Sequence, residues 1–538
     1  MSGGIGRASA LLASGTVVSR VLGFVKAIVI AQALGGVIST SGNAFAVATI
    51  VPNSIYAIIG GGLLSAILVP QIVRASSAAD GGNAYINKLV TLGLTGFAAV
   101  AVAATLAAPA LVQLFSLRSA ASFDRDLAIA FAYWCLPQVF FLGMYALLGE
   151  VLNARRAFGP FTWAPVANNI VGIASVGTFL ALFGGSADRR FEDWSPGMVA
   201  LFAGGNTLGL AAQALLLFLF WRRVGLRFRP DFRWRGVGLG IAGKAAGWTF
   251  AMLLIGQVAG LIETNVATRA GSESASVFAL TNAWLIFMLP HSVITVSIVT
   301  VFYTSMSEHA ARDDLRALKT DISSVLRGVL LAILLAAAAL IVVAPAFARV
   351  FIATGYDDVQ QLAAVIIAYL LGLVPFCLLF VVQRAFYALG DTRTPFVFTL
   401  LQSLLVIGGV LACSLLPADR IAVGIAAVVS AAGTVQLLVA AALLARRIGP
   451  GAGAGVGRAL LRDLIAVLPA CVVGAVLLIL LGGTAPGGFA LSGIAPAVLS
   501  IAVIGGAMSV VYLGGLLALR SPDLRALLAP LLDRSKRH

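Results

Sequence analysis

Between Arg327 and Arg349 the chain reads GVLLAILLAAAALIVVAPAFA, 21 consecutive residues without a charge. A helix needs about 20 mostly apolar residues to cross the hydrocarbon core of a bilayer. No water reaches the backbone there, so a helix, which bonds its own N–H and C=O groups, is the structure that such a stretch can adopt. The segment therefore predicts a membrane span, and similar runs recur along the chain. Apolar runs set against loop signals place fourteen spans, near 8 to 34, 42 to 73, 89 to 115, 127 to 152, 160 to 184, 197 to 221, 240 to 268, 275 to 304, 327 to 349, 361 to 387, 395 to 416, 421 to 445, 463 to 482 and 491 to 519. Composition agrees: 60% of the 538 residues are hydrophobic and 11% charged, against roughly 25% charged in soluble domains. The predicted fold is an all-α polytopic membrane protein. Its first run is interrupted by Arg20 and Lys26 and is followed by no clean cleavage region, which makes it a retained span rather than a signal peptide.

The loops test that map, because Lys and Arg accumulate in short cytoplasmic loops. With both termini and the even-numbered loops in the cytoplasm, 27 of the 36 basic residues fall inside, seven outside and two within the first span. The net charge of +15 is then a topology signal; a nucleic-acid footprint would need a basic stripe on a soluble surface, and no nucleic-acid partner is expected. The largest basic loop, Arg222 to Lys244, interleaves Arg227, Arg229 and Arg233 with Phe228, Phe232 and Trp234. It is a topology signal between two lobes or a segment that lies on anionic headgroups. Cys135, Cys377, Cys413 and Cys471 stand apart in apolar stretches, a pattern of neither disulfides nor zinc ligands.

The chain also repeats itself. Pro52, Asn53, Ser54 and Ile55 match Pro290, His291, Ser292 and Val293 at an offset of 238, and Asn153, Ala154, Pro160 and Phe161 match Tyr387, Ala388, Pro395 and Phe396 at offsets of 234 and 235. Both matches lie six spans apart, which argues for two six-helix lobes of like orientation with a substrate path between them. The run GPGAGAGVG at 449–457 reads as a flexible linker by composition. The predicted domains are an N-lobe over 1–235 (spans one to six), a C-lobe over 236–448 (spans seven to twelve), the glycine-rich linker 449–457, and 458–538 with two further spans and a basic cytoplasmic tail.

Catalytic signatures are missing. His291, His309 and His538 are scattered, and GLGIAGK at 238–244 is followed by Ala245 where a phosphate-binding loop needs Ser or Thr for magnesium. The chain is expected to be no enzyme and to need no cofactor or metal. Ionisable residues within spans are the sharper signal, since each costs about 2.5 to 3.5 kcal/mol to insert and so faces a cavity or a partner. Arg20 and Lys26 stand in the first span and Glu263 in the seventh. Six residues on a helix separate two side chains by about 120° and about 9 Å, so Arg20 and Lys26 can line a wide cavity but not grip one atom together. Two cations at different depths suit an extended diphosphate. The alternative is structural: Lys26 snorkels to the interface and Arg20 pairs with Glu263 between helices. Glu263 has a further reading as the site of a coupling proton or sodium ion, since it begins a polar cluster with Thr264 and Asn265. Asn43 and Asn53, like Asn169, Gln257, Asn282 and His291, are interhelical hydrogen-bond partners or ligands. The candidate substrate-binding set is Arg20, Lys26, Asn43, Asn53 and Glu263.

At these residues the chain resembles the MurJ/MviN family of the multidrug, oligosaccharidyl-lipid and polysaccharide (MOP) exporter superfamily. The resemblance rests on SRVLGFVK (19–26), NAF (43–45), Pro52 and Asn53, SAILVP (65–70), LNARRAFGPFTWAP (152–165) with Asn169, and FYALGDTRTP (386–395). It implies fourteen helices, two six-helix lobes around a cationic cavity, and two final helices. It also implies alternating access that moves lipid II, the undecaprenyl-diphosphate-linked peptidoglycan precursor, from the inner to the outer leaflet of the bacterial inner membrane. Several of the family's charges are replaced here, by Ala27, Asn43, Tyr56, Ala57, Gly61, Leu285 and Met288. The other functions weighed are export of another lipid-linked oligosaccharide or amphipathic drug, and a non-transporting scaffold of the cell wall. Expected partners are lipid II or a related undecaprenyl-diphosphate lipid, the membrane, and cell-wall synthesis and division proteins. The excess of Arg over Lys hints at a GC-rich bacterium.

Overall fold

The computed structural model describes residues 2–60, 82–155, 157–187, 189–233, 239–352 and 355–525. The second half of the span expected over 42 to 73, the SAILVP stretch, the loop at 234–238 and the basic tail from 526 lie outside the described residues. Fourteen helices are long and apolar enough to cross a membrane. They are α1 (Ser2–Ala33), α2 (Thr40–Gly60), α3 (Asn83–Leu106), α4 (Arg125–Ala154), α5 (Phe158–Phe183), α6 (Pro196–Val224) and α7 (Leu239–Ala267). Then come α8 (Val277–Ala311), α9 (Leu315–Val342), α10 (Tyr356–Ala388), α11 (Arg393–Cys413), α12 (Ala418–Ile448), α13 (Val456–Leu480) and α14 (Ile494–Ala518). Each expected span has its helix.

Local chemistry sets their ends. Asp124 caps α4 by accepting from the Leu127 N–H at 2.9 Å, and Asp314 caps α9 through Ala317 at 3.0 Å, each satisfying an orphan donor of a first turn. The two prolines of the repeat differ in effect. Pro52 lies inside a continuous α2, whereas Pro290 of α8 is followed by a widened π turn over His291–Thr295.

Contacts divide the chain into residues 1–278 and 279–538. In the first unit α5 packs on α1 and α6, and α4 on α2 and α3. Ile86, Leu89 and Val90 of α3 bury against Leu147, Leu148 and Val151 of α4 and Leu217 of α6. Near the other end of these helices Phe45, Phe131, Phe179, Trp194 and Phe202 pack at centroid distances of 4.9–6.0 Å. The seventh helix, expected to open the C-lobe, is tied by Asn265 of α7 to the Leu114 carbonyl (2.8 Å) and the Leu117 N–H (2.7 Å).

In the second unit α14 lays Ile504, Met508, Tyr512 and Leu516 on α13, and the Tyr512 hydroxyl donates to the Leu331 carbonyl of α9 at 2.9 Å. The segment 449–457, flexible by composition, is instead an ordered turn bound to α9. Gly449, Gly451, Gly453 and Gly455 all have positive φ, between 78° and 104°, a conformation that costs other residues strain. Ser323 Oγ accepts from Gly453 N (2.9 Å) and Ala454 N (3.1 Å), and Arg327 Nη1 donates to the Ala454 carbonyl (2.7 Å). An ionic chain continues from there. Asp523 accepts from Arg327 at 2.9 Å and from Arg462 at 2.8 Å, and Arg462 also meets the buried Asp463 at 2.9 Å. Composition misses this order because what imposes it lies some 130 residues away in sequence.

Candidate functional site

The side of α1 that meets α5 carries Gly15, Ser19, Gly23 and Lys26, spaced by four, four and three residues and so aligned on one face. Gly15 lets Trp163 close in: a Cβ there would stand 2.8 Å from the indole Nε1. Asn169 donates to the Ser19 carbonyl at 2.8 Å. One turn on, Lys26 lies across Gly172, where an added Cβ would be 2.5 Å from Lys26 Cε and 2.8 Å from Nζ. The ammonium reaches Asn168 Oδ1 at 3.4 Å, and Asn168 rests in turn on Gly209 of α6, where a Cβ would stand 2.6 Å from Oδ1. Asn168 is ten residues from the start of α5 and fifteen from its end, about 15 Å and 22 Å along the axis. The Lys26 charge is therefore held in mid-span and does not snorkel to an interface.

Arg20 sits one and a half turns earlier on α1. It is half-buried at the border between the α5-facing side and the open side, where Val17, Val21 and Val25 are 51%, 57% and 38% exposed. Among the described residues neither Arg20 nor Lys26 makes an ion pair, so the Arg20–Glu263 pair weighed from the sequence is not formed.

The other candidates are placed elsewhere. Asn43, 1% exposed near the start of α2, donates to the Gly271 carbonyl and accepts from the Phe278 N–H, each at 3.1 Å. Both ends of its amide are committed to the backbone that follows α7. Asn53 is exposed, and its Nδ2 donates to the Thr49 carbonyl of its own helix at 2.8 Å. Glu263 is half-buried four residues before the end of α7. Asn43 and Glu263 thus lie within four residues of a helix end, whereas Lys26 lies seven residues before the end of α1. The structure brings Arg20 and Lys26 to one helix and does not gather all five. Asn168 and Gly172 escaped the sequence reading. The only signal was the adjacent asparagine pair 168–169 and a small residue one turn later. His291, at the π turn of α8, meets Cys377 Sγ at 3.5 Å.

This arrangement can hold an anion, since neither cation of α1 is in an ion pair among the described residues. A family model described as "Lipid II flippase MurJ" matches residues 30–485. A Rickettsia prowazekii (strain Madrid E) protein named "Probable lipid II flippase MurJ" is 24% identical over 411 residues, covering 73% of this chain and 75% of its own. Among solved structures, "Lipid II flippase MurJ, inward closed conformation" matches with a TM-score of 0.68 at 18% identity, covering 92% of this chain and 98% of that one. An inward-facing multidrug resistance MATE family transporter of the MOP superfamily matches with a TM-score of 0.64 at 17% identity, covering 80% and 95%. At these identities the structural matches establish a shared fold.

Proposed function

Because the chain belongs to the lipid II flippase MurJ family, we propose that it moves lipid II, or a closely related undecaprenyl-diphosphate lipid, across the membrane by alternating access. Arg20 and Lys26 contact the diphosphate. The observation that carries this reading is the Lys26 ammonium, seated in mid-span on Gly172 with a neutral amide for its partner. A charge at that depth costs about 2.5 to 3.5 kcal/mol, and an anionic cargo supplies a neutralisation that no ion pair among the described residues provides. Arg20, about 9 Å lower on the same helix, offers a forked donor to the second phosphate or to the same one at another stage of transport. Asn53 and Glu263 are assigned to the path of the cargo or of a coupling ion, and Asn43 to holding α2 in place.

The same proposal places the protein in the bacterial inner membrane with both termini cytoplasmic, on the strength of the loop-charge asymmetry. It assigns residues 1–235 and 236–448 to the two lobes, on the strength of the internal repeat. Cell-wall synthesis and division proteins are its proposed partners, as consumers of the exported precursor.

The test is replacement of an essential lipid II flippase in a depletion strain by this protein and by its Arg20→Ala and Lys26→Ala variants. The intact protein is expected to restore growth and both variants to fail at equal membrane abundance. Failure of the well-expressed intact protein would sink the cargo assignment. Full rescue by both variants would remove the cations from the mechanism.

A further inference from the structure

The segment after α6 lines a cavity that contains none of the residues assigned above to the cargo. Past Leu219 the chain tightens into a short turn at Arg222–Val224 and reverses at Gly225, whose φ is +77°. From there it runs back along α3. The N–H groups of Arg227, Arg229 and Asp231 donate to Asn83 Oδ1, Asn87 Oδ1 and Thr91 Oγ1, at 3.4, 3.2 and 3.0 Å. Those acceptors recur every four residues on one face of α3, so the strand is fastened at alternate residues.

This fastening positions a cavity of about 530 Å³. Its floor is apolar, made by Phe218, Trp221, Leu226 and Phe228, and Trp221 carries a buried indole N–H with no acceptor among the described residues. Arg222, Arg227 and Arg229 complete the lining, no carboxylate takes part in it, and none of the three arginines is in an ion pair among the described residues. Leading up to it on α6, Leu208, Leu215 and Leu219 are 61%, 53% and 73% exposed. Their spacing of seven and four puts them on one face, and that stripe ends one turn before Arg222.

We infer that this cavity holds the phosphate headgroup of an anionic phospholipid from the leaflet that borders it, with the acyl chains lying on the leucine stripe. Guanidinium groups bind phosphate oxygens in paired hydrogen bonds, and basic pockets beside membrane helices select anionic headgroups. A soluble phosphate would engage the arginines but leave the aromatic floor and the stripe uncovered. The inference does not depend on the cargo reading, since Arg20 and Lys26 stand on another helix.

Native mass spectrometry of the intact, detergent-purified protein tests it, with phosphatidylglycerol and phosphatidylcholine titrated in parallel. Phosphatidylglycerol should be retained preferentially by the intact chain. Each charge-assisted bond lost is worth about tenfold in binding, so R222Q/R227Q/R229Q should lose tenfold or more. The control R446Q/R447Q, which alters two exposed arginines at the end of α12, should match the intact protein. Equal retention of phosphatidylcholine, unchanged retention by the triple variant, or an equal loss in the control would overturn the inference. Inorganic phosphate displacing phosphatidylglycerol at comparable concentration would make this a soluble-anion site, and a polyprenyl diphosphate displacing it at lower concentration would make it a cargo site; either refutes the assignment. Should the triple variant fail to fold, R227Q alone, which keeps the backbone bond to Asn83, should show a loss of several-fold, and no loss would overturn the inference equally.

Discussion

Gly172→Ala tests the seat of Lys26 without touching its charge. The new Cβ would stand 2.5 Å from Lys26 Cε and 2.8 Å from Nζ. Carbon atoms at rest are about 3.5 to 4.0 Å apart, so the end of the side chain must retreat by roughly 1 Å. The ammonium is already 3.4 Å from Asn168 Oδ1, and that retreat takes it out of hydrogen-bond range. A hydrogen bond to a charged group is worth about 1.5 to 3 kcal/mol, roughly one to two powers of ten in an equilibrium. Stability should move the other way or hardly at all. Alanine gains up to about 1 kcal/mol over glycine in a helix, and the displaced atoms belong to the free end of a flexible chain. The expected outcome is a thermal midpoint within a few degrees of the parent and lipid II transport in proteoliposomes reduced about tenfold or more. Lys26→Ala serves as the reference for complete loss and Gly177→Ala, where an added Cβ meets no atom within 4 Å, as the neutral control. A fully active Gly172→Ala beside an inactive Lys26→Ala would refute the claim that Lys26 works from this seat.

Ser323→Ala removes the acceptor that holds Gly453 and Ala454 on α9. It should cost about 1 to 3 kcal/mol and raise amide exchange at 453 and 454, and unchanged exchange would contradict the bound turn. Asn43→Ala removes the hydrogen bonds to the Gly271 carbonyl and from the Phe278 N–H, so a loss of about 1 to 3 kcal/mol should appear in thermal melts, with transport falling only in step with folded protein. A transport defect at full stability would instead return Asn43 to the cargo site. Asp523, beyond the end of α14, supplies a pH dependence. Burial alone would push its carboxyl up, but the hydrogen bonds from Arg462 and Arg327 outweigh burial and hold it below the ordinary value. A lowered folded pKa gives stability that is present above the ordinary carboxylate range near pH 4 and lost as pH falls through the folded value. The stability gap between the parent and Asp523→Asn should therefore be full at pH 7 and shrink below about pH 4; a gap independent of pH would refute the ionic reading.

The fourteen spans were legible because their signal is one-dimensional: a run of some twenty apolar residues is a span whatever packs beside it. The 120° between Arg20 and Lys26 was legible for the same reason, since helix geometry follows from residue number. What escaped was set by partners distant in the chain. Nothing around Gly172 says that Lys26 lies on it, because the two are joined only by the packing of α5 on α1. Glycines at 449–455 read as flexible until Ser323 and Arg327 are brought against them. Asn43 read as a candidate ligand because an in-span amide has no local signature that separates a staple from a site. Its partners, Gly271 and Phe278, follow a different helix.

That distinction bears on which polar groups can serve transport. In the first unit Asn43, Asn169, Asn206 and Asn265 each donate to a backbone carbonyl, at distances of 2.8–3.1 Å. Such amides join a helix to its neighbours or to its own preceding turn, and their hydrogen bonds leave no net charge behind. The two cations of α1 differ in kind. A neutral amide such as Asn168 orients an ammonium but does not neutralise it. Among the described residues no carboxylate pairs with that charge, so an anion arriving from outside would stabilise it. A cationic drug would be repelled by both residues, and a neutral cargo would leave their desolvation uncompensated. A diphosphate lipid offers an anionic head long enough to meet charges on different sides of α1 and an apolar tail for the bilayer. The pair therefore favours that cargo on physical grounds, apart from family membership.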